Sequence, residues 1–89
     1  MFGNVVLSKS GRDKGKLFFV TEILENNYVY IIDGNIHKVE NQKLKKSKHL
    51  ELVEAQDEEI SNKLKNKQKL SNHDIRRALR AIRKEEENV

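Results

Sequence analysis

The stretch VVLSKSGRDKGKLFFVTEI, residues 5–23, places a basic loop with two glycines between two apolar runs. The first run is residues 5–7, and the second, residues 17–23, is rich in β-branched and aromatic side chains. Runs of this composition next to glycine-containing loops are typical of short β-strands. The stretch therefore predicts two strands joined by a tight loop.

Strand patterning continues downstream of this stretch. Residues 28–32 (YVYII) form the strongest strand pattern, and the Asp-Gly pair at residues 33–34 suits a hairpin turn with positive φ. Residues 36–39 (IHKV) alternate as a returning strand should, and apolar residues between 44 and 53 supply a final strand. Five short strands in so short a segment predict a small barrel, in which closure removes exposed edges.

From residue 55 onward the pattern is helical. Acidic residues 57–59 suit a helix N-terminus, because the helix dipole favours negative charge there. Residues 71–74 (SNHD) have the spacing of a capping box, with aspartate in the usual place of Glu or Gln. An apolar stripe at helical period then follows, formed by Ile75, Ala78, Leu79 and Ile82. We predict a barrel at residues 1–54 and a helical extension at residues 55–89 with two short helices.

The charge of the chain is segregated. The net charge is +4, yet residues 63–84 carry nine Lys and Arg against the single acid Asp74. Residues 38–49 carry five lysines against the single acid Glu40. Patches of one sign favour a polyanionic partner, either a nucleic acid or an anionic membrane surface. A membrane is the weaker alternative, because the apolar stripe of the helix lacks Trp or Phe anchors.

The glycine-containing loop does not fit a nucleotide-binding motif. A Walker loop needs four residues between its glycines and a Ser or Thr after its lysine, whereas three residues separate Gly11 from Gly15, and Leu17 follows Lys16. Gly11, Asp13 and Gly15 are better interpreted as turn residues, as is Gly34 in the next turn. The basic side chains of the loop are Lys9, Arg12, Lys14 and Lys16. They either face solvent or contact RNA phosphates, and the sequence of the loop does not distinguish these two alternatives.

Two further groups of cations are candidate RNA contacts. An extended segment at residues 43–50 would project lysines outward while Leu44 points toward the barrel, and its cations are Lys43, Lys45, Lys46 and Lys48. The helix carries Arg76, Arg77, Arg80 and Arg83, whose forked donors suit phosphate. Its apolar face could dock on the barrel or bind a protein partner, and we favour packing of Ile75, Leu79 and Ile82 against protein while the arginines face RNA.

Other classes of site have little support in the sequence. The three histidines are scattered and the chain has no cysteine, so we expect no metal ion. We expect His37 to pair across the hairpin, and Tyr28 and Tyr30 to lie in the core rather than stack on bases. No nucleophile or acid–base pair is grouped, so we predict no enzyme, no cofactor and no small-molecule substrate. No signal peptide or membrane-spanning run is visible, and we expect a cytoplasmic protein.

Residues 5–23, together with YVYIIDGNIHKVE (residues 28–40) and LKKSKHLEL (residues 44–52), resemble the bacterial KOW-domain proteins similar to large-subunit ribosomal proteins of archaea and eukaryotes. The resemblance covers residues 4–53 and implies an SH3-like β-barrel, RNA binding and association with ribosomes or their precursors, with ribosomal RNA as the expected contact. It also implies that Gly15 lets the loop turn into the second strand. Relatives commonly carry proline where this chain has Asn-Gln at residues 41–42. The alternative function is a protein-interaction module of the transcription or translation machinery, acting through the barrel or the amphipathic helix.

Overall fold

The computed structural model describes residues 2–87, with side chains described to residue 85. The chain forms five strands and then two helices: β1 (Val5–Ser8), β2 (Leu17–Ile23), β3 (Tyr28–Ile32), β4 (Lys43–Lys46), β5 (Leu50–Val53), α1 (Glu58–Lys65) and α2 (Asn72–Glu87). The strands form one antiparallel sheet in the order β4-β3-β2-β1-β5. The prediction of a five-stranded β part followed by a helical C-terminal part is confirmed, but two of the five predicted strands differ from those observed. Residues 36–39 form no strand, and the single final strand predicted between residues 44 and 53 is two strands, β4 and β5, separated by a 3-10 turn at Ser47–His49.

Both faces of the sheet are buried. One face carries a group that we call the sheet cluster: Val6, Phe18, Val20, Val29, Ile31 and Leu50. The other face joins the helices in the helix-side cluster: Val5, Leu17, Phe19, Ile32, Ile60, Ile75, Ala78, Leu79 and Ile82. Successive side chains of a strand point to opposite faces of the sheet. In β1, Val5 therefore lies in the helix-side cluster and Val6 in the sheet cluster, and in β2 Phe19 and Phe18 divide in the same way. This explains why these strands read as continuous apolar runs.

Both helices begin at side-chain caps. The Asp57 carboxylate accepts a hydrogen bond from the Ile60 amide at 3.0 Å, at the start of α1. The Ser71 hydroxyl accepts one from the Asp74 amide at 3.4 Å, at the start of α2. Such caps satisfy amide groups that have no partner within the helix. Within the described part of the chain, neither helix is long and apolar enough to cross a membrane.

The apolar stripe of α2 is covered by the chain's own sheet. Ile75 is fully buried, and Leu79 and Ile82 keep only 7% and 6% of their surface exposed. All three pack in the helix-side cluster beside Phe19. Of the readings that the sequence left open for this stripe, docking on the sheet is the one observed. The sequence also allowed these three side chains to bind a separate protein, and in this structure the sheet covers them instead.

The predicted hairpin after β3 is wrong. Residues 36–39 are not a strand but part of a ten-residue connection, residues 33–42. The strand that pairs with β3 is Lys43–Lys46, with Lys43 opposite Ile31. The Asp-Gly pair therefore begins a long loop instead of a two-residue turn.

The backbone of this connection is held by side chains instead of by a partner strand. The Asp33 carboxylate accepts hydrogen bonds from the amides of Asn35 and His37, both at 2.9 Å. The Val39 amide donates to the side-chain oxygen of Asn72 at 2.8 Å. Donors that a strand would have used are thus satisfied locally or by α2, which removes the reason for this segment to pair.

The expected inward orientation of Leu44 is also wrong. Leu44 lies opposite Tyr30 and is 46% exposed, whereas Lys45 lies opposite Val29 of the sheet cluster. Directly opposite residues of antiparallel strands share a face, so the lysine stem, and not the leucine, extends on the sheet-cluster side. Tyr28 and Tyr30 are half-buried and belong to neither cluster.

Candidate nucleic-acid interface

The loop between β1 and β2, residues 9–16, is the first component of the site, and we call it the glycine loop. The Ser8 amide donates to the Lys16 carbonyl at 3.0 Å, and the Gly15 amide donates to the Ser8 carbonyl at 2.9 Å. Gly11 and Gly15 have φ angles of 78° and 86°, in the region that favours glycine. The loop backbone is fixed at both ends, so its cations extend from defined positions.

Asp13 joins the glycine loop to the β3–β4 connection. Its Oδ2 lies 3.0 Å from Nε2 of His37, and Asp13 is 8% exposed. The ring of His37 packs against Phe18, with 5.7 Å between ring centroids. We expected Asp13 to bond its own turn and His37 to pair across a hairpin, and neither residue does so with its side chain. Asp13 and His37 are 24 positions apart, so no local pattern in the sequence predicts this contact. The contact fixes the two loops side by side.

A first groove runs between the glycine loop and β4, and we call it the strand groove. The Lys45 ammonium donates to the Ser10 carbonyl at 3.2 Å, which holds β4 beside the loop. The groove has a volume of about 490 Å³ and also contains the exposed Ile36. Its cations are Arg12, Lys16, Lys43 and Lys45.

A second groove, the helix groove, runs between α2 and the two loops. Arg76 Nη1 donates to the Gly34 carbonyl at 2.6 Å, and Arg83 Nη2 donates to the Gly15 carbonyl at 2.7 Å. A guanidinium has five N–H donors, so each arginine keeps donors for a ligand. The helix groove has a volume of about 290 Å³, and its cations are Lys16, Arg76, Arg80 and Arg83.

Lys16 lines both grooves and joins them into one region that we call the basic surface. Two carboxylates lie in the linings, and both are engaged: Asp13 with His37, and Asp33 with backbone amides. The surface combines cations from three segments that are far apart in the sequence, and such a set suits the phosphates of a polyanion. Its members are Arg12, Lys16, Lys43, Lys45, Arg76, Arg80 and Arg83.

Arg77 was predicted with the other arginines but lies elsewhere. Its Nη2 is 3.3 Å from the Asp74 carboxylate, and it lines a depression that also contains Asp57 and Glu59. Helical geometry explains the separation, since Arg76, Arg80 and Arg83 follow one face and Arg77 starts the next. The acidic surroundings make this position a poor phosphate contact.

Four predicted lysines also line neither groove: Lys9, Lys14, Lys46 and Lys48. Lys46 and Lys48 lie beside the turn at residues 26–27, and the Lys46 ammonium is 5.5 Å from the centre of the Tyr28 ring. Lys9 and Lys14 are exposed on the glycine loop. The structure thus brings seven of the predicted contacts together and leaves five outside.

The site offers cations instead of metal ligands. Among the side chains that the structure describes, residues 2–85, no three of His, Cys, Asp or Glu come together in a way that could hold a metal ion. His37 is already engaged with Asp13. The charged groups available to a ligand are the ammonium and guanidinium groups of the basic surface, which favour an anion.

Comparison with known proteins does not assign a family. The chain matches no protein-family model, and no curated protein matches it. The resemblance of residues 4–53 to the KOW family therefore stays a prediction. The functional argument rests on the basic surface itself.

Proposed function

We propose that this protein is a non-enzymatic RNA-binding protein that contacts ribosomal RNA through the basic surface. The observation that carries the proposal is the meeting of the glycine loop, β4 and α2 around Lys16. Cations kept only for solubility have no reason to gather on one side of the molecule. Cations kept only for solubility would also have no need of hydrogen bonds to carbonyls of neighbouring loops, and such bonds are made by Lys45, Arg76 and Arg83.

RNA fits this surface better than the other anionic or protein partners that the sequence suggested. Arginine forks match phosphate geometry, and phosphate contacts set the register of a nucleic acid. An amphipathic helix that binds a membrane buries its apolar face in the lipid, whereas the apolar face of α2 is buried on the sheet. The same burial removes the helix stripe as a docking surface for a protein.

The proposed scaffold is an SH3-like barrel of the KOW type. Its support is the strand order β4-β3-β2-β1-β5, with a short 3-10 turn, Ser47–His49, between β4 and β5. An irregularity in β2 between Val20 and Glu22 adds to it, because bulges bend sheets. The sheet cluster draws residues from four strands onto one face, as a curled sheet requires. The resemblance to KOW proteins is the reason for naming ribosomal RNA as the target.

Sucrose-gradient sedimentation of cell lysate tests the ribosomal part of the proposal. We expect the protein to co-migrate with large ribosomal subunits or their precursors at low salt and to be released at high salt. About six phosphate contacts would lower affinity roughly 10³-fold between 50 and 200 mM salt. A protein that stays in the free fraction at low salt would contradict ribosome association.

Charge reversal tests the basic surface directly. We expect Lys16→Glu to weaken binding of purified protein to ribosomal RNA by about tenfold or more, because one substitution places a negative charge in both grooves. Lys48→Glu is the matched control, since it changes the charge equally at an exposed lysine outside the surface. Fluorescence anisotropy at fixed salt measures both. Equal losses in the two variants would mean that only net charge matters.

A further inference from the structure

The arginines of the helix groove are held in place before any ligand arrives. Arg76 and Arg83 are each tied to a loop carbonyl, and Arg80 lies between them on the same helix face. The spacing of these arginines along α2 covers about 10 Å at the helical rise per residue. They form a row of guanidinium groups along one wall of the groove.

Anchoring of this kind favours a defined contact over diffuse attraction. A free arginine loses rotamer freedom when it binds, whereas a side chain already bonded to a carbonyl has lost part of it. One N–H of each anchored arginine is used, and the remaining donors stay in a fixed plane that matches two phosphate oxygens. The helix groove is therefore organised for phosphate groups at fixed spacing.

Among the residues that the structure describes, the basic surface has no Phe, Tyr or Trp side chain on which a base could stack. The ring of His37 lines the strand groove, but it packs against Phe18 and is bonded to Asp13, so little of it is exposed to a base. Phe18 and Phe19 are fully buried. Tyr28 lies beneath Lys46, and Tyr30 lines a depression that contains Glu22 and Glu40. Proteins that bind single strands rely on base stacking, whereas double-stranded RNA is recognised through its shape and backbone.

We propose that the helix groove binds the sugar–phosphate backbone of double-helical RNA. Phosphates of one RNA strand are contacted by Arg76, Arg80 and Arg83. Lys16 contacts the same backbone where the helix groove meets the strand groove. The bases are not read. This inference rests on the proposed RNA-binding function and names the class of RNA that it concerns.

The first test compares two RNAs with the full-length protein at one salt concentration. One is a hairpin with a long perfect stem, and the other is an unstructured uridine oligomer with the same number of phosphates. We expect the hairpin to bind about tenfold tighter, and stems of unrelated sequence to bind within about twofold of one another. Equal or tighter binding of the uridine oligomer overturns the duplex assignment and leaves RNA binding intact. A protein that binds neither RNA overturns the proposed function as well.

The second test replaces arginines by lysine, which keeps the positive charge but removes the planar guanidinium group with its paired N–H donors. We expect Arg80→Lys and Arg83→Lys each to weaken hairpin binding about fivefold, and the control Arg77→Lys to change it less than twofold. Arg83→Lys also loses its tie to Gly15, so thermal unfolding is measured alongside. Arg80 makes no hydrogen bond to the described residues, and its loss therefore reports the ligand contact. If all three lysine variants bind the hairpin as tightly as the wild type, the proposed contact between these arginines and RNA phosphates is wrong.

Discussion

Gly34 is a residue of the β3–β4 connection that lies directly against α2. It is buried with a φ of 75°, and a Cβ atom there would overlap the backbone carbonyl oxygen of Asn72. The same Cβ would lie 3.2 Å from Cγ of Arg76, whose guanidinium is bonded to the Gly34 carbonyl. The absence of a side chain therefore lets the helix approach closely enough for the arginine to be anchored.

We predict that Gly34→Ala lowers the free energy of unfolding by about 2–5 kcal/mol, from left-handed backbone strain together with overpacking against α2. Gly15→Ala is the matched control, because its φ is 86° but nothing lies within 4 Å of the added methyl group. It should cost only the strain, about 1–2 kcal/mol. Urea unfolding measures both. Equal losses would show that the close approach to Asn72 is unimportant.

At the scale of elements, Asn72 connects the start of α2 to the β3–β4 connection. Its side-chain oxygen accepts from the Val39 amide, and its Nδ2 donates to both Glu40 carboxylate oxygens, at 3.1 and 2.9 Å. This hydrogen bonding, with smaller effects from a backbone hydrogen bond and from Lys38, lowers the pKa of Glu40 below its ordinary value of 4.5. Together with Asp33, this asparagine supplies the partners that the segment would otherwise find in a neighbouring strand.

We predict that the Glu40 pKa, followed by NMR, lies below 4.5 and rises toward that value in Asn72→Ala. Because the folded pKa is lower than the unfolded one, the contact stabilises the fold while Glu40 is ionised. Its contribution is complete above the unfolded pKa and is lost as the pH falls through the folded pKa. Asn62→Ala, at an exposed position of α1, is the control and should leave Glu40 unchanged. A wild-type pKa at or above 4.5 would contradict the assignment.

For the whole molecule, the governing feature is a sheet buried on both faces. The helix-side cluster unites residues of β1, β2 and β3 with residues of α1 and α2, and its members Val5, Phe19 and Ile32 have no exposed surface. The helices therefore do two things at once. They cover one face of the sheet, and they bring Arg76, Arg80 and Arg83 to the glycine loop.

We predict that deletion of residues 55–89 abolishes cooperative unfolding, because it exposes the apolar face on which the helices pack. Deletion of residues 86–89 is the control, since it leaves every buried residue of the helix-side cluster in place. Circular dichroism with urea titration distinguishes the two. If residues 1–54 unfolded cooperatively with nearly full stability, the helices would be an appendage and not part of the core.

Local patterns in the sequence predicted three of the five strands and the starts of both helices. The apolar runs at residues 5–7, 17–23 and 28–32 predicted β1, β2 and β3, and the acidic and SNHD patterns marked the helix starts. These succeed because strand preference and capping depend on neighbours a few residues away. The same reasoning failed at residues 36–39, where the alternating pattern was real but the amide partners came from Asp33 and distant Asn72.

Only the tertiary structure decided which cations lie together. The sequence identified three basic segments, but their meeting at Lys16 depends on the Asp13–His37 contact and on the rotation of α2 over the sheet. That rotation places Arg80 in the helix groove and Arg77 in a different, acidic depression. The amino-acid composition of the helix gives no reason to distinguish these two arginines. The physical reason is range: strand and helix signals are local, whereas a binding surface is made by packing between residues that the chain itself holds far apart.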